Sequence, residues 1–248
     1  MEERITSRKN SLLQQVKKLL TSRKTREEAG LVVSDGTKLL QEAAAHYPGL
    51  ETVILSDGVE ARVPDHVRLI RVPEDVMQSI SPMAAPQGAL FICRMPDPQP
   101  LELRGGCLIL DGVQDPGNLG TILRTADALE VPVVLTEGCA DPYGEKTVRA
   151  SMGAVFRTQP QQAVRAEILA RCRESGIPLA VTALTPDARD IREASLAEMA
   201  LVIGSEGRGV SADFLAAAEN RLIIPMNPRC ESLNAAVAAT IVMWQMRR

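Results

Sequence analysis

From Leu222 to Gln245 the chain reads LIIPMNPRCESLNAAVAATIVMWQ, a strand, a polar loop and an alanine-rich helix in immediate succession. The helical part, AAVAATIVMW, is apolar nearly all round. It suits a helix covered on more than one side, not a surface helix with one wet face. Ser232-Leu233-Asn234 opens it, and the Ser232 hydroxyl is of the kind that caps free N–H groups at a helix start. Asn234 lies inside the first turn of this apolar helix, where an amide needs hydrogen-bond partners or is costly to bury.

The same order of strand, Gly- or Pro-marked loop and helix occurs twice upstream, in LILDGVQDPGNLGTILRTADAL (Leu108 to Leu129) and LVIGSEGRGVSADFLAAA (Leu201 to Ala218). Three such loops point to one site, because ligands of parallel α/β sheets bind beyond the carboxyl ends of the strands. In the first, Pro116 and Gly117 turn the chain off the strand. Leu119, Ile122, Leu123, Ala126 and Leu129 form one helix face, and Asn118, Thr121, Arg124 and Thr125 share the other. Spacing alone leaves that polar face open to plain solvation. In the second, GSEGRG at 204–209 is GxxGxG, not the GxGxxG of a dinucleotide crossover, and Glu206 places a negative charge where phosphate would have to sit. A phosphate-free cofactor fits better, and a tight glycine turn with no ligand is the structural alternative.

Other classes are narrowed by what the chain lacks. The apolar runs fall short of the roughly 20 residues of a membrane span, and the start has no apolar signal region, so a cytoplasmic protein is expected. Cys93, Cys107, Cys139, Cys172 and Cys230 contain no CxxC pair and read as buried free thiols, without metal or disulfides. His46 and His66 both lie in the first half, which leaves no histidine for a triad or metal site in the second. Six scattered aromatic residues are too few for a base-stacking platform. The net charge of −3 is uneven: residues 1–28 hold eight Lys/Arg against four Glu, a surplus of four, so the remainder carries −7. That segment is a solvated helix face or a phosphate-binding one.

Periodicity predicts a small α/β layer first: a basic helix at 10–20, strands at 31–34, 52–56, 67–72 and 89–95, and helices at 36–46 and 73–80. Pro96, Pro98 and Pro100 then read as a stiff linker. Strands near 107–111, 132–136, 155–158, 178–183, 200–204 and 221–225 alternate with helices, which predicts a mostly parallel sheet covered on both faces. The domains expected are 1–95, a linker at 96–103, and 104–248.

In order and spacing the three motifs resemble the signature motifs of the SpoU (TrmH) family of RNA 2'-O-ribose methyltransferases, a branch of the knotted SPOUT methyltransferases. The resemblance runs from Leu103 to the C-terminus. In the first half ITSRKNSLLQQVKKL, Arg23-Lys24-Thr25-Arg26, LVVSDGTKLLQEA and PQGALFICRM resemble the ribosomal-protein-like substrate-binding domain that often precedes that catalytic domain. Asp35-Gly36 stands where Glu-Gly is more frequent. The family implies a knotted C-terminal helix, a homodimer, no metal, and S-adenosylmethionine as cofactor. It implies a catalytic set Asn118, Arg124, Glu206, Ser232 and Asn234. The cofactor would be held by Ala183, Gly204, Glu206, Gly207, Ile224, Met226 and Leu233. Ribosomal or transfer RNA would be the partner, with Arg8, Lys9, Arg23, Lys24 and Arg26 as candidate phosphate contacts. A catalytically silent RNA-binding module and a nucleotide-dependent oxidoreductase remain the alternatives.

Overall fold

The computed structural model describes residues 2–227 and 229–248, and the chain divides into two compact units. The first comprises the residues up to Asp97 together with Tyr143–Arg157, and the second Pro98–Pro142 with Thr158–Arg248.

The first unit begins with β1 (Glu2–Arg4), α1 (Ser11–Thr21), α2 (Arg23–Ala29), β2 (Leu31–Asp35), α3 (Thr37–His46), β3 (Leu50–Ser56), β4 (Arg68–Val72), α4 (Glu74–Ile80) and β5 (Ala89–Arg94). Its sheet has the order β1-β4-β3-β5-β2, parallel around β4 and antiparallel around β5. Helix α1 starts where Asn10 Oδ1 accepts the Leu12 N–H at 2.9 Å. It buries Leu13, Val16 and Leu19 against one face of the sheet, alongside Val76, Met77 and Ile80 of α4. The sequence reading passed over α2. Ser22 caps it by accepting the Thr25 N–H at 3.2 Å, and Gly30 ends it in the left-handed conformation at φ 63°.

The second unit contributes β6 (Cys107–Asp111), α5 (Pro116–Leu129) and β7 (Val133–Leu135), after which the chain returns to the first unit. There α6 (Glu145–Ala150) and a 3-10 turn (Ala154–Phe156) cover the second face of the first sheet. Tyr143, Val148, Val155 and Phe156 are buried among Leu39, Leu40, Tyr47, Val53 and Phe91. The strand expected at 155–158 is therefore a 3-10 turn. Gly153 at φ 83° breaks the extended path, and Phe156 inserts its ring between Tyr47 and Phe91, centroids 5.4 and 5.8 Å away. Residues 143–157 thus leave the 104–248 domain read from the sequence and complete the core of the first unit.

The chain then forms β8 (Gln161–Gln162), α7 (Arg165–Ser175), β9 (Leu179–Thr182), β10 (Arg189–Asp190), β11 (Ala200–Gly204), α8 (Ala212–Ala217), β12 (Asn220–Ile223) and α9 (Ala235–Met246). The second sheet is parallel throughout, in the order β10-β12-β9-β11-β6-β7-β8. Its central strands are buried on both faces, by α5 and α9 on one side and α7 and α8 on the other. The proline-rich stretch is less free than a linker. Leu101 is buried against the second sheet, and the Glu102 N–H donates to Gln161 Oε1 at 2.8 Å. Helix α9 buries Ala235, Ala236, Ala239, Val242, Met243 and Met246 but leaves Val237, Ile241 and Trp244 exposed. No helix among the described residues is long and apolar enough to cross a membrane.

Four of the cysteines are buried and Cys230 is exposed, a correction to the expectation for that residue. Burial pushes the Cys107 thiol up to about 12 and the Cys172 thiol to about 11. Ellman's reagent at pH 8 should accordingly titrate one thiol in the native protein and all five after denaturation. Rapid release of more than one equivalent before unfolding would contradict this burial.

Candidate active site

Three of the expected residues meet through side-chain hydrogen bonds at the carboxyl end of the second sheet. Asp115 caps α5 by accepting the Asn118 N–H at 2.7 Å, with Pro116 in the first turn where its missing donor is harmless. This sets Asn118 at the helix start, where its amide N–H donates to Glu206 Oε1 at 2.5 Å. Its amide oxygen accepts from Asn234 Nδ2 at 2.9 Å. Asn234, not Ser232, caps α9, its Oδ1 accepting the Ala236 and Val237 N–H groups at 2.9 and 3.3 Å. The short amide satisfies two free helix donors with its oxygen and leaves its nitrogen for Asn118, which the more distant Ser232 hydroxyl does not do.

Glu206 stands in a tight loop closed by the Ser205 and Gly209 backbones, which exchange hydrogen bonds at 2.9 and 3.2 Å. A Cβ on Gly204 would lie 2.0 Å from the Gly209 carbonyl carbon, so the closure requires glycine there. Behind the loop is a residue that the sequence reading missed. Asp111, at the end of β6, is buried and accepts the Ser211 N–H at 2.7 Å, the Arg165 Nε–H at 2.7 Å and the Thr136 hydroxyl at 3.2 Å. It ties the strand of the first motif to the loop of the second. A single acid ending the apolar run LILD was the available signal.

Beside this chain lies a pocket of about 410 Å³, within the size range of small-molecule sites. Ala183 follows β9, Gly204 and Glu206 follow β11, and Ile224 and Met226 follow β12; all five line it with Ser232 and Leu233. Gly207 is not among the lining residues. The walls are apolar side chains and loop backbone, with Glu206 and Arg208 as the charged groups at the rim. An adenosine with a cationic sulfonium matches that set of apolar walls with an acid among them.

Arg124 stands apart from the asparagines. It is exposed, and it lines a shallow groove between α5 and α9 with Thr121, Thr125, Leu129, Ile241 and Trp244. Six helical positions separate it from Asn118, about 240° of rotation and 9 Å of rise. Glu206 consequently pairs with Asn118 and does not orient Arg124.

The basic segment of the first unit is largely engaged with acids. Arg8 meets Asp75 at 2.5 Å, Arg23 meets Glu27 at 2.7 Å, and Lys24 lies 3.7 Å from Glu28. Arg26 departs from the expectation: it is buried, and its Nη1 donates to the Leu19 carbonyl at 2.6 Å. That bond satisfies a free carbonyl near the end of α1, so the guanidinium serves the fold. Arg8, Lys9, Arg23 and Lys24 remain exposed.

This pocket at the strand ends of a parallel α/β layer is where enzymes of that architecture hold their small-molecule ligands. The chain is similar to the AdoMet-bound rRNA methyltransferase from Sinorhizobium meliloti, with a TM-score of 0.87 and 27% identity over 99% of this chain and 97% of that one. It is similar to the SpoU methyltransferase AviRb from Streptomyces viridochromogenes in complex with AdoMet, with a TM-score of 0.83 and 26% identity over 96% and 98% of the two chains. It is also 32% identical over 250 residues to the 23S rRNA (guanosine(2553)-2'-O)-methyltransferase RlmP of Bacillus subtilis (strain 168), an alignment covering 99% of both. The model of the SpoU rRNA methylase family matches residues 106–244, and that of the MRM3-like substrate binding domain residues 10–90. The chain belongs to the SpoU rRNA methylase family, the S-adenosylmethionine-dependent RNA 2'-O-ribose methyltransferases that its three motifs resemble. That reading is favoured over the silent RNA-binding module and the oxidoreductase.

Proposed function

We propose that the chain methylates a ribose 2'-hydroxyl in ribosomal RNA as a cytoplasmic homodimer. The observation that carries the reading is the Glu206–Asn118–Asn234 chain at the pocket of loop backbone. Ribosomal RNA as the substrate is supported by the relative that matches end to end and acts on a 23S rRNA guanosine.

In this reading Ala183, Gly204, Ile224, Met226 and Leu233 hold adenosine. Bound there, S-adenosylmethionine would supply the methyl group to the ribose oxygen, with S-adenosylhomocysteine as the leaving product and the hydroxyl proton passing to solvent water. Asn118 and Asn234, fixed by each other and by Glu206, align the attacking ribose, with Ser232 beside them. Gly207 at the loop tip supplies no wall. Arg124 brings its guanidinium to the developing alkoxide and the adjoining phosphate and stabilises their charge.

The homodimer is supported by the α5–α9 groove, where Trp244 is 64% exposed and Ile241 36%. Apolar surface of this kind is ordinarily covered. Arg124 lies in that groove, and a second copy seated there would receive it at its own pocket. A knotted C-terminus is supported by β12 inserted between β10 and β9 while α9 turns back onto α5. Exposed Arg8, Lys9, Arg23 and Lys24 are the candidate phosphate contacts, and Arg26 is withdrawn from that set.

The test is transfer of labelled methyl from the donor to ribosomal RNA lacking the modification, followed by mapping of 2'-O-methyl positions. Label at one ribose of one ribosomal RNA is the expected result. Label on a base, or label appearing in transfer RNA alone, would retire the proposal.

A further inference from the structure

The first unit contains a second cleft, of about 340 Å³, where β2 runs into α3. Its polar lining comprises Gln41, Glu42, Gln87, Lys38 and Arg149 together with Asp35, which is only 8% exposed. One carboxylate oxygen accepts the Ser81 hydroxyl at 2.5 Å, and the other, Oδ1, is buried with no hydrogen-bond partner. Burial raises the pKa of this group, with the Ser81 hydrogen bond opposing that shift in part. An acid held in this way lacks a donor that the chain itself does not provide.

The rest of the cleft indicates what that donor belongs to. Gly36, at φ 126°, turns the chain into α3, where the Thr37 N–H donates to Gln87 Oε1 at 3.0 Å. Lys38 in the first turn is exposed and forms no ion pair among the described residues. The neighbouring charges are matched in place, Glu42 by Arg157 and Arg149 by Glu145. The apolar part is Leu39 with two thioethers, Met83 and Met152. Met152 is 44% exposed and held at φ 53°, a conformation uncommon for a residue with a side chain. Methionine sulfur packs well against aromatic rings. An orphan acceptor, a thioether bed and a free cation at a helix start together match a flat ring with an amino group and a nearby phosphate.

We propose that this cleft binds one unstacked nucleotide of the RNA, its ring on Met83 and Met152, its exocyclic amino group donating to Asp35, and its backbone phosphate on Lys38. The inference rests on the reading of the chain as an RNA methyltransferase. Sequence-specific RNA recognition favours such splayed bases, and this unit buries Phe91 and Phe156, so methionines take the place of an aromatic platform.

The experiment uses the full chain with S-adenosylhomocysteine saturating the cofactor pocket, so that adenine does not report from there. Short labelled oligo(A), oligo(C) and oligo(U) RNAs are titrated at several salt concentrations. The parent should prefer oligo(A) and oligo(C) over oligo(U) by roughly tenfold, as one well-placed hydrogen-bond discrimination gives. Asp35→Asn keeps the Ser81 bond through its amide oxygen and turns an N–H toward the base, so the preference should shift to oligo(U), whose carbonyl oxygens accept. Lys38→Gln, at an exposed position that tolerates the change, should weaken all three and reduce the log–log salt slope by about 0.7. An unchanged order of preference in Asp35→Asn, or an unchanged slope in Lys38→Gln, overturns the proposal. Methyl transfer to ribosomal RNA is measured separately: its absence in the parent counts against the enzyme, and oligomer binding counts for or against the cleft.

Discussion

Phe156→Ala should destabilise the first unit while the second still binds its cofactor. The ring is 1% exposed and lies within 6 Å, centroid to centroid, of both Tyr47 and Phe91, at 5.4 and 5.8 Å. Truncating a buried phenylalanine to alanine costs about 3–5 kcal/mol, because the cavity relaxes only in part. In a unit of this size that lowers the melting temperature by on the order of 15 °C. Two units with separate cores need not melt together, so calorimetry is the measurement of choice. One transition should move down while S-adenosylmethionine continues to raise the other. A variant whose transitions both stay at the parent temperatures would show that the ring contributes nothing to the unit in which it is buried.

Arg124→Ala should lose on the order of a hundredfold or more in single-turnover methyl transfer, as removal of a preorganised charge donor does. The cofactor dissociation constant should stay within about twofold, because Arg124 lines the α5–α9 groove and not the cofactor pocket. Arg124→Lys keeps the charge without the planar fork and should also be poor. The position of Arg124 adds a sharper test. If it acts on the pocket of a second copy, mixing Arg124→Ala with Asn118→Ala chains regenerates some dimers with one intact site, and activity should return in the mixture. Parent-like transfer by Arg124→Ala would remove it from the chemistry. A mixture as inactive as its two components would place Arg124 and Asn118 in the same copy's site.

Most of the second unit was legible because its strands are apolar runs ended by loops with recognisable turn residues. LILD, LAVT and ALVIG are strands within a residue or two of their expected limits. Ala183, Gly204, Ile224, Met226 and Leu233, which the family resemblance implied, line one pocket, because a parallel sheet gathers its strand ends and the loops after them at one end. Side-chain partnerships were less legible. Glu206 was legible only as an acid in a glycine loop, and it accepts from Asn118, 88 positions away in sequence, a pairing that no local pattern encodes. Ser232 had the right chemistry for a cap, but Asn234 is the residue at the helix start. Arg26 looked like its basic neighbours until its burial against the Leu19 carbonyl was seen. The strand expected at 155–158 failed because VF in a short apolar run reads alike as strand or buried turn, and Gly153 decided the matter.

The excursion of residues 143–157 into the first unit also has a consequence for how the protein is made. The first sheet has all of its strands once Arg94 has left the ribosome, yet Tyr47 and Phe91 wait for Phe156 to cover them. Translation proceeds at about 5–20 residues per second, so the gap lasts several seconds. During that time an apolar face stands open on a nascent chain, and β6, α5 and β7 are synthesised before it closes. The first unit therefore does not finish folding before synthesis of the second begins, as N-terminal domains ordinarily do. Its completion waits until part of the second has been made.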